Sequence, residues 1–162
     1  MTPVSCVLLL RCMNDPSSSG TGSNTFSLKG EVSSSIAAVA LLAHGDARYV
    51  ALTVRTPGLT GHVLARGQRV IHAEARSAAL DLLPGRTGRL LWKGREALLA
   101  LALLANDAVQ VEVRAVADPG PRHVPNVDAA LSVVVLDLAV AVDTNMSINA
   151  LPCVFEPASD PA

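Results

Sequence analysis

The chain predicts an all-β, mainly antiparallel single domain of β-sandwich or jelly-roll-like type, with room for one short helix within 77–83 or 97–105. Three observations lead there. Apolar and polar residues alternate in several stretches, most cleanly in Val109-Gln110-Val111-Glu112-Val113-Arg114. A period of two puts alternate side chains on opposite faces of a half-buried strand. Turn chemistry recurs about every 8–14 residues, at His44-Gly45-Asp46, Thr56-Pro57-Gly58, Arg66-Gly67-Gln68, Pro84-Gly85-Arg86, Asn106-Asp107 and Asp118-Pro119-Gly120-Pro121, a spacing that suits sandwiches and barrels. Finally, half of the residues are hydrophobic but only four are aromatic: two Phe, one Tyr and one Trp. Aromatic rings ordinarily dominate burial. A core of Ala, Leu and Val must instead be assembled from many small contacts, as flat stacked layers provide.

The elements follow in order. Residues 4–11 hold a short apolar run, Val4 to Leu10. It has no positive leader and is followed by Arg11 instead of a small-residue cleavage site, so it reads as a first strand and not a signal peptide. Residues 16–24, Pro-Ser-Ser-Ser-Gly-Thr-Gly-Ser-Asn, have the composition of a flexible linker. Residues 1–24 therefore read as an N-terminal arm, 25–155 as the domain, and the proline-containing 156–162 as a flexible tail. Within the domain the expected strands are 25–32, 35–43, 48–54, 61–65, 69–75, 89–92, 108–117, 129–142 and 147–155, with 77–83 a candidate helical turn.

Two of these segments admit more than one reading. In 97–105 the Ala and Leu content favours helix and Glu96 suits a first turn. Against that, Asn106-Asp107 resembles a hairpin turn into strand 108–117. As a strand, 97–105 would set Leu99, Leu101 and Leu103 in a row that needs cover. The stretch 129–142 is interrupted only by Ser132 and Asp137. As one strand it would reach roughly 45 Å. It would carry Val134, Leu136, Leu138 and Val140 on one face and Leu131, Val133 and Val135 on the other, apolar on both sides. Leu99, Leu101, Leu103, Val133, Val135, Leu136 and Leu138 are the candidate interface residues.

Composition excludes several classes of partner. A chain of 162 residues with net charge −1 and no clustered basic run offers no electrostatic footprint for nucleic acid. No apolar run reaches the roughly 18–20 residues of a membrane helix, so no membrane span is expected. Charged residues are only 17% and the mean hydropathy is +0.39, both on the apolar side for a soluble monomer. Three cysteines, Cys6, Cys12 and Cys153, make no disulfide framework and no C-x-x-C motif. With no secretory leader, the Asn145-Met146-Ser147 sequon reads as chance, and an intracellular or virion-associated location is expected.

Residues with chemical potential are few. If Arg66-Gly67-Gln68 closes a three-residue hairpin, His62 faces His72, with Glu74 two residues on along the same face. Two imidazoles and a carboxylate are a zinc-type ligand set. A different loop length shifts the register, so the metal site is a weak candidate beside a plain histidine pair at a solvent rim. His44 and Asp46 share a tight turn. Asp137, read as part of an apolar strand, is a candidate for a raised pKa or for pairing with an Arg. Gly85-Arg86-Thr87-Gly88 lacks phosphate-loop spacing. No cofactor motif is present, and none is expected. The chain reads as a structural, self-assembling β domain, such as a coat, shell or decoration subunit of a virus-like particle. Its partner is a copy of itself or a dedicated protein. The alternative is a small oligomeric β-fold enzyme or ligand-binding protein with its site at a subunit interface.

Overall fold

In the computed structural model, residues 11–12, 27–45, 49–78, 80–83, 86–105 and 108–157 are described. Strand 4–11 apart from Arg11, the linker 16–24, the turn residues Asp46, Pro84-Gly85 and Asn106-Asp107, and the tail beyond Pro157 lie outside these residues.

The antiparallel β expectation holds. The strands are β1 (Arg11–Cys12), β2 (Ser27–Val32), β3 (Tyr49–Thr56), β4 (Leu59–Arg66), β5 (Arg69–Ser77), β6 (Leu80–Leu83), β7 (Arg86–Lys93), β8 (Val109–Val116), β9 (Ala129–Ala130) and β10 (Val154–Pro157). They form one sheet in the order β1-β2-β8-β3-β4-β5-β7-β10, with β6 paired to β7 and β9 to β5, and every pairing among the described residues is antiparallel. The second layer is made of helices: α1 (Ser35–Ala40), α2 (Arg95–Leu104) and α3 (Leu131–Asp143). Among the described residues there is no second sheet to complete a sandwich.

Sequence patterning places each central strand. In β3 the buried residues are Val50, Leu52 and Val54; in β8 they are Val109, Val111 and Val113. The alternation turns these rows toward the helices and leaves Thr53, Arg55, Glu112 and Arg114 on the open face. Strands β3, β4 and β5 form a meander. Strand β8, reached through α2, inserts between β2 and β3. Both β2 and β3 run antiparallel to β8, so they are parallel to each other and need a crossover, which α1 supplies.

Four segments expected as strands or turns adopt other structure. Residues 35–43 form α1 and a 3-10 turn (Leu41–Gly45), not a strand. Ser34 caps α1, its side chain accepting from the Ala37 backbone N–H at 3.2 Å. Residues 129–142 form β9 and α3, not one long strand. Leu131, Val134, Leu138 and Ala141 are its buried residues, and their separations of three, four and three residues follow the helical period. A segment apolar at nearly every position fits both periods, so packing against α1 and α2 chose the helix. Residues 80–83 are a strand and not a helical turn, and in 147–155 a 3-10 turn (Ile148–Ala150) precedes the short edge strand β10. Segment 97–105 lies within helix α2.

Helix α2 is the centre of the core. Ala97 to Ala102 are all buried, which is the signature of a helix covered on every side. It packs on β4, β5 and β7 and is flanked by α1 and α3. Gly94 opens it with φ +64°, and a Cβ there would lie 2.6 Å from the Asn126 carbonyl oxygen, so the position requires glycine. The far end is tied to α1: Ser35 donates from both its backbone N–H (3.0 Å) and its Oγ (2.7 Å) to the Ala105 carbonyl. That oxygen at the helix C-terminus would otherwise be an unsatisfied acceptor.

Candidate functional site

The sheet has one face under the helices and one face open. Three concavities follow from this. Two are shallow and lie on the open face: about 360 Å³ bounded by Lys29, Glu31, Arg55 and Glu112 among others, and about 290 Å³ around His62, His72, Glu112 and Arg114. The third, about 480 Å³, lies at the helical side of the sheet.

The histidine pair resolves as follows. The β4–β5 connection is a two-residue turn, with Arg66 opposite Arg69 and Gly67 at φ +61°. Ala65 then faces Val70 and Leu64 faces His72, so Ile71 is an extra residue in β5. The shorter turn and this bulge each shift the register by one residue, and together they set His62 opposite Glu74 instead of His72. The shift from the expected register is two residues, so all three side chains stay on the open face. His72 Nε2 stands 3.5 Å from Glu74 Oε1. Its ring meets His123 edge to face at 5.2 Å between centroids. His62 Nδ1 shares a 3.3 Å hydrogen bond with Thr53 Oγ1. Burial lowers the His62 pKa below its ordinary value, as do Arg55, Arg76 and Arg114, while Glu74 opposes the shift. The shift favours the neutral imidazole. Among the described residues no group of three or more His, Cys, Asp or Glu is arranged to hold a metal ion, which removes His62, His72 and Glu74 as a ligand set. The cause is the register: each imidazole meets Glu74 or a different neighbour before it meets the other.

Asp137 sits on the outer surface of α3, 48% exposed, with its Oδ2 3.4 Å from Arg95 Nε. Helical folding of 131–143 took it out of the apolar strand in which its carboxylate would have been desolvated. His44 is exposed in the 3-10 turn after α1.

The candidate interface residues divide. Leu99 and Leu101 are 2% and 0% exposed inside α2, and Leu138 is 1% exposed on the inner side of α3. These three are in the core of their own chain, because the helical layer, and not a neighbouring subunit, covers the sheet. Leu103 and Val135 are half-buried against that core. Val133 and Leu136 stand 53% and 64% exposed. The residue missed from sequence is Val140, 52% exposed. Under a period of two it fell on the same face as Leu136 but opposite to Val133. Under the helical period the three lie together at i, i+3 and i+7, along the side of α3 away from the core.

The cleft of about 480 Å³ was not foreseen from sequence. Its floor is Leu59, Ser77, Trp92 and Leu151, all buried; its rim includes Gly58, Leu104, Asn149 and Cys153, all exposed. It forms because the β3–β4 turn, the end of α2 and the 3-10 turn before β10 meet without filling the space between them. The Trp92 Nε1–H is buried with no hydrogen-bond partner.

No protein-family model, curated protein or solved structure matches this chain. Among the described residues no helix is long and apolar enough to cross a membrane.

Proposed function

We propose that this is a structural, self-associating domain of the coat, shell or decoration kind, whose copies meet through the outer stripe of α3. The observation that carries the reading is the exposure of Val133, Leu136 and Val140 along one line of that helix. A contiguous apolar stripe on the exterior favours a contact surface. It is also self-complementary: two copies related by a two-fold axis set identical uncharged stripes against each other, with the Asp137–Arg95 pair at the border.

Magnitudes decide what kind of contact this supports. Fully burying a Val or Leu side chain contributes about 1.5–3 kcal/mol. Six half-exposed side chains per pair supply on the order of 5–9 kcal/mol, against the about 4–15 kcal/mol that association costs. One stripe pairing is weak. Many copies held in a shell, with the sheet edges or the N-terminal arm adding further contacts, gain by multivalency.

Size-exclusion chromatography with light scattering on the untagged full chain tests this. The expected result is a concentration-dependent mass above the monomer at micromolar protein, reduced toward the monomer by Leu136→Glu with unchanged circular dichroism. A clean monomer across that range, or a Leu136→Glu variant that assembles as the parent does, overturns the reading.

A further inference from the structure

The connection between β8 and β9, residues 117–128, is a strap that runs beside β5. Three side-chain contacts hold it there. Asn126 engages the N–H and the carbonyl of Ala73 with its amide, both at 2.9 Å. Asp128 forms an ion pair with Arg69. His123 sets its ring edge to face against His72, 5.2 Å between centroids. At this third contact one polar atom is left over. His72 Nε2 is directed to Glu74 Oε1 at 3.5 Å, but its Nδ1 is buried with no hydrogen-bond partner.

The charge on the ring decides what that burial costs. A neutral imidazole with its proton on Nε2 presents only a lone pair at Nδ1, whereas a cationic imidazole carries an N–H on both nitrogens. Under the strap the new Nδ1–H has no acceptor, and a buried donor without a partner is costly. His123 is of the same residue type, and two cationic rings at this separation repel each other. The surroundings do not offset this. Glu74 is already engaged at Nε2. On the same face His62, Glu112, Arg55 and Arg114 line one concavity with His72. Arg66 lies two residues from Leu64, the residue opposite His72, and Lys93 of β7 stands opposite Glu74. Arg122 precedes His123 in the strap. Cations outnumber carboxylates in this set.

We propose that the strap is a pH-sensitive latch, closed on β5 while His72 and His123 are neutral and released when the rings become charged. Histidine changes charge in the mildly acidic range, and the charged pair fits the open strap better than the closed one, so a fall in pH opens it. Release gives Nδ1–H access to water, separates the rings and uncovers the Ala73 N–H, the position on β5 that Asn126 otherwise occupies. The latch is independent of the α3 stripe, and its test leaves the association of copies aside.

Amide hydrogen exchange on the full ¹⁵N-labelled chain between about pH 8 and pH 5 tests this, with rates corrected for the intrinsic effect of pH. The Ala73 amide reports the strap. The Leu52 and Val63 amides, in the buried rows of β3 and β4, report opening of the whole fold. The expected result is at least about tenfold loss of Ala73 protection at the acid end, with Leu52 and Val63 protection lost to a smaller extent. His72→Gln, uncharged throughout, should remove that pH dependence; His123→Phe, which keeps a ring without the charge, should reduce it. The quantity compared is the ratio between the two pH values, so a variant that only loosens the strap is not mistaken for one that removes the sensor. The proposal is overturned by Ala73 protection that holds at acid pH, by a loss that Leu52 and Val63 share equally, or by a pH dependence that neither variant lowers.

Discussion

Gly61 of β4 lies directly beneath Leu101 of α2: a Cβ built on Gly61 would sit 2.4 Å from one Leu101 methyl and 2.8 Å from the other. The helix rests on the sheet at this point because the strand has no side chain there. Leu101 is fully buried, so its methyls have little room to yield.

Gly61→Ala is therefore expected to destabilise the fold by about 1–3 kcal/mol, the usual cost of overpacking a filled core. The change also lowers unfolded-state entropy, which offsets about 0.4–1 kcal/mol of that loss. Urea unfolding of the parent, Gly61→Ala, Leu101→Ala and the double variant measures it. The double variant should lose less than the two single changes combined, because the added methyl occupies space the leucine vacated. Additive losses would mean the two residues do not share that space.

Asn126 completes the ladder of β5 on the side away from β4, at a residue that no strand on that side faces. Its Oδ1 accepts from the Ala73 backbone N–H and its Nδ2 donates to the Ala73 carbonyl, both at 2.9 Å. Ala73 falls between the residues paired with β9 and those paired with β7. Asn126→Ala is expected to cost about 1–3 kcal/mol by leaving a strand donor unsatisfied. Asn126→Asp keeps the acceptor and loses the donor, and should exceed an isosteric change in cost because a carboxylate then faces a carbonyl. Thermal unfolding together with amide exchange at Ala73 checks both. Unchanged protection of that amide in Asn126→Ala would refute the assignment.

His62 makes stability depend on pH. Its pKa is lowered in the folded chain, first by burial and then by three arginines. The unfolded chain therefore binds the proton more readily. Stability is free of this penalty above the ordinary histidine pKa of about 6.5. It declines as pH falls from there toward the folded pKa, and the loss is complete below it. His62→Gln, which keeps a polar side chain for Thr53, should flatten that part of the profile. Urea midpoints of parent and variant at pH values from mildly acidic to mildly basic give the comparison. Parallel profiles would show that His62 does not titrate differently in the two states.

The elements with one apolar and one polar face were readable in advance. Strands β3, β5 and β8 fall within a few residues of their expected bounds, because an alternating row has only one way to hide its apolar half. The His62 neighbourhood was half readable. Its face was right, since a turn one residue shorter than expected and a one-residue bulge together moved the partner by two, but Glu74 and not His72 stands opposite. Nothing local in Ala65 to Ile71 declares that bulge. Ser34, by contrast, was a cap signal in plain view before α1.

Alternation of apolar with polar residues, together with a supply of small aliphatic side chains and few rings, decided that this chain builds an antiparallel sheet with one greasy side. What lies on that side was decided in three dimensions. Segments 95–104 and 131–143 are apolar at almost every position, and such runs satisfy the period of a strand and of a helix equally. Only their packing over Gly61 and against one another selects the helix, and that choice buries Leu99, Leu101 and Leu138 while leaving Val133, Leu136 and Val140 facing outward.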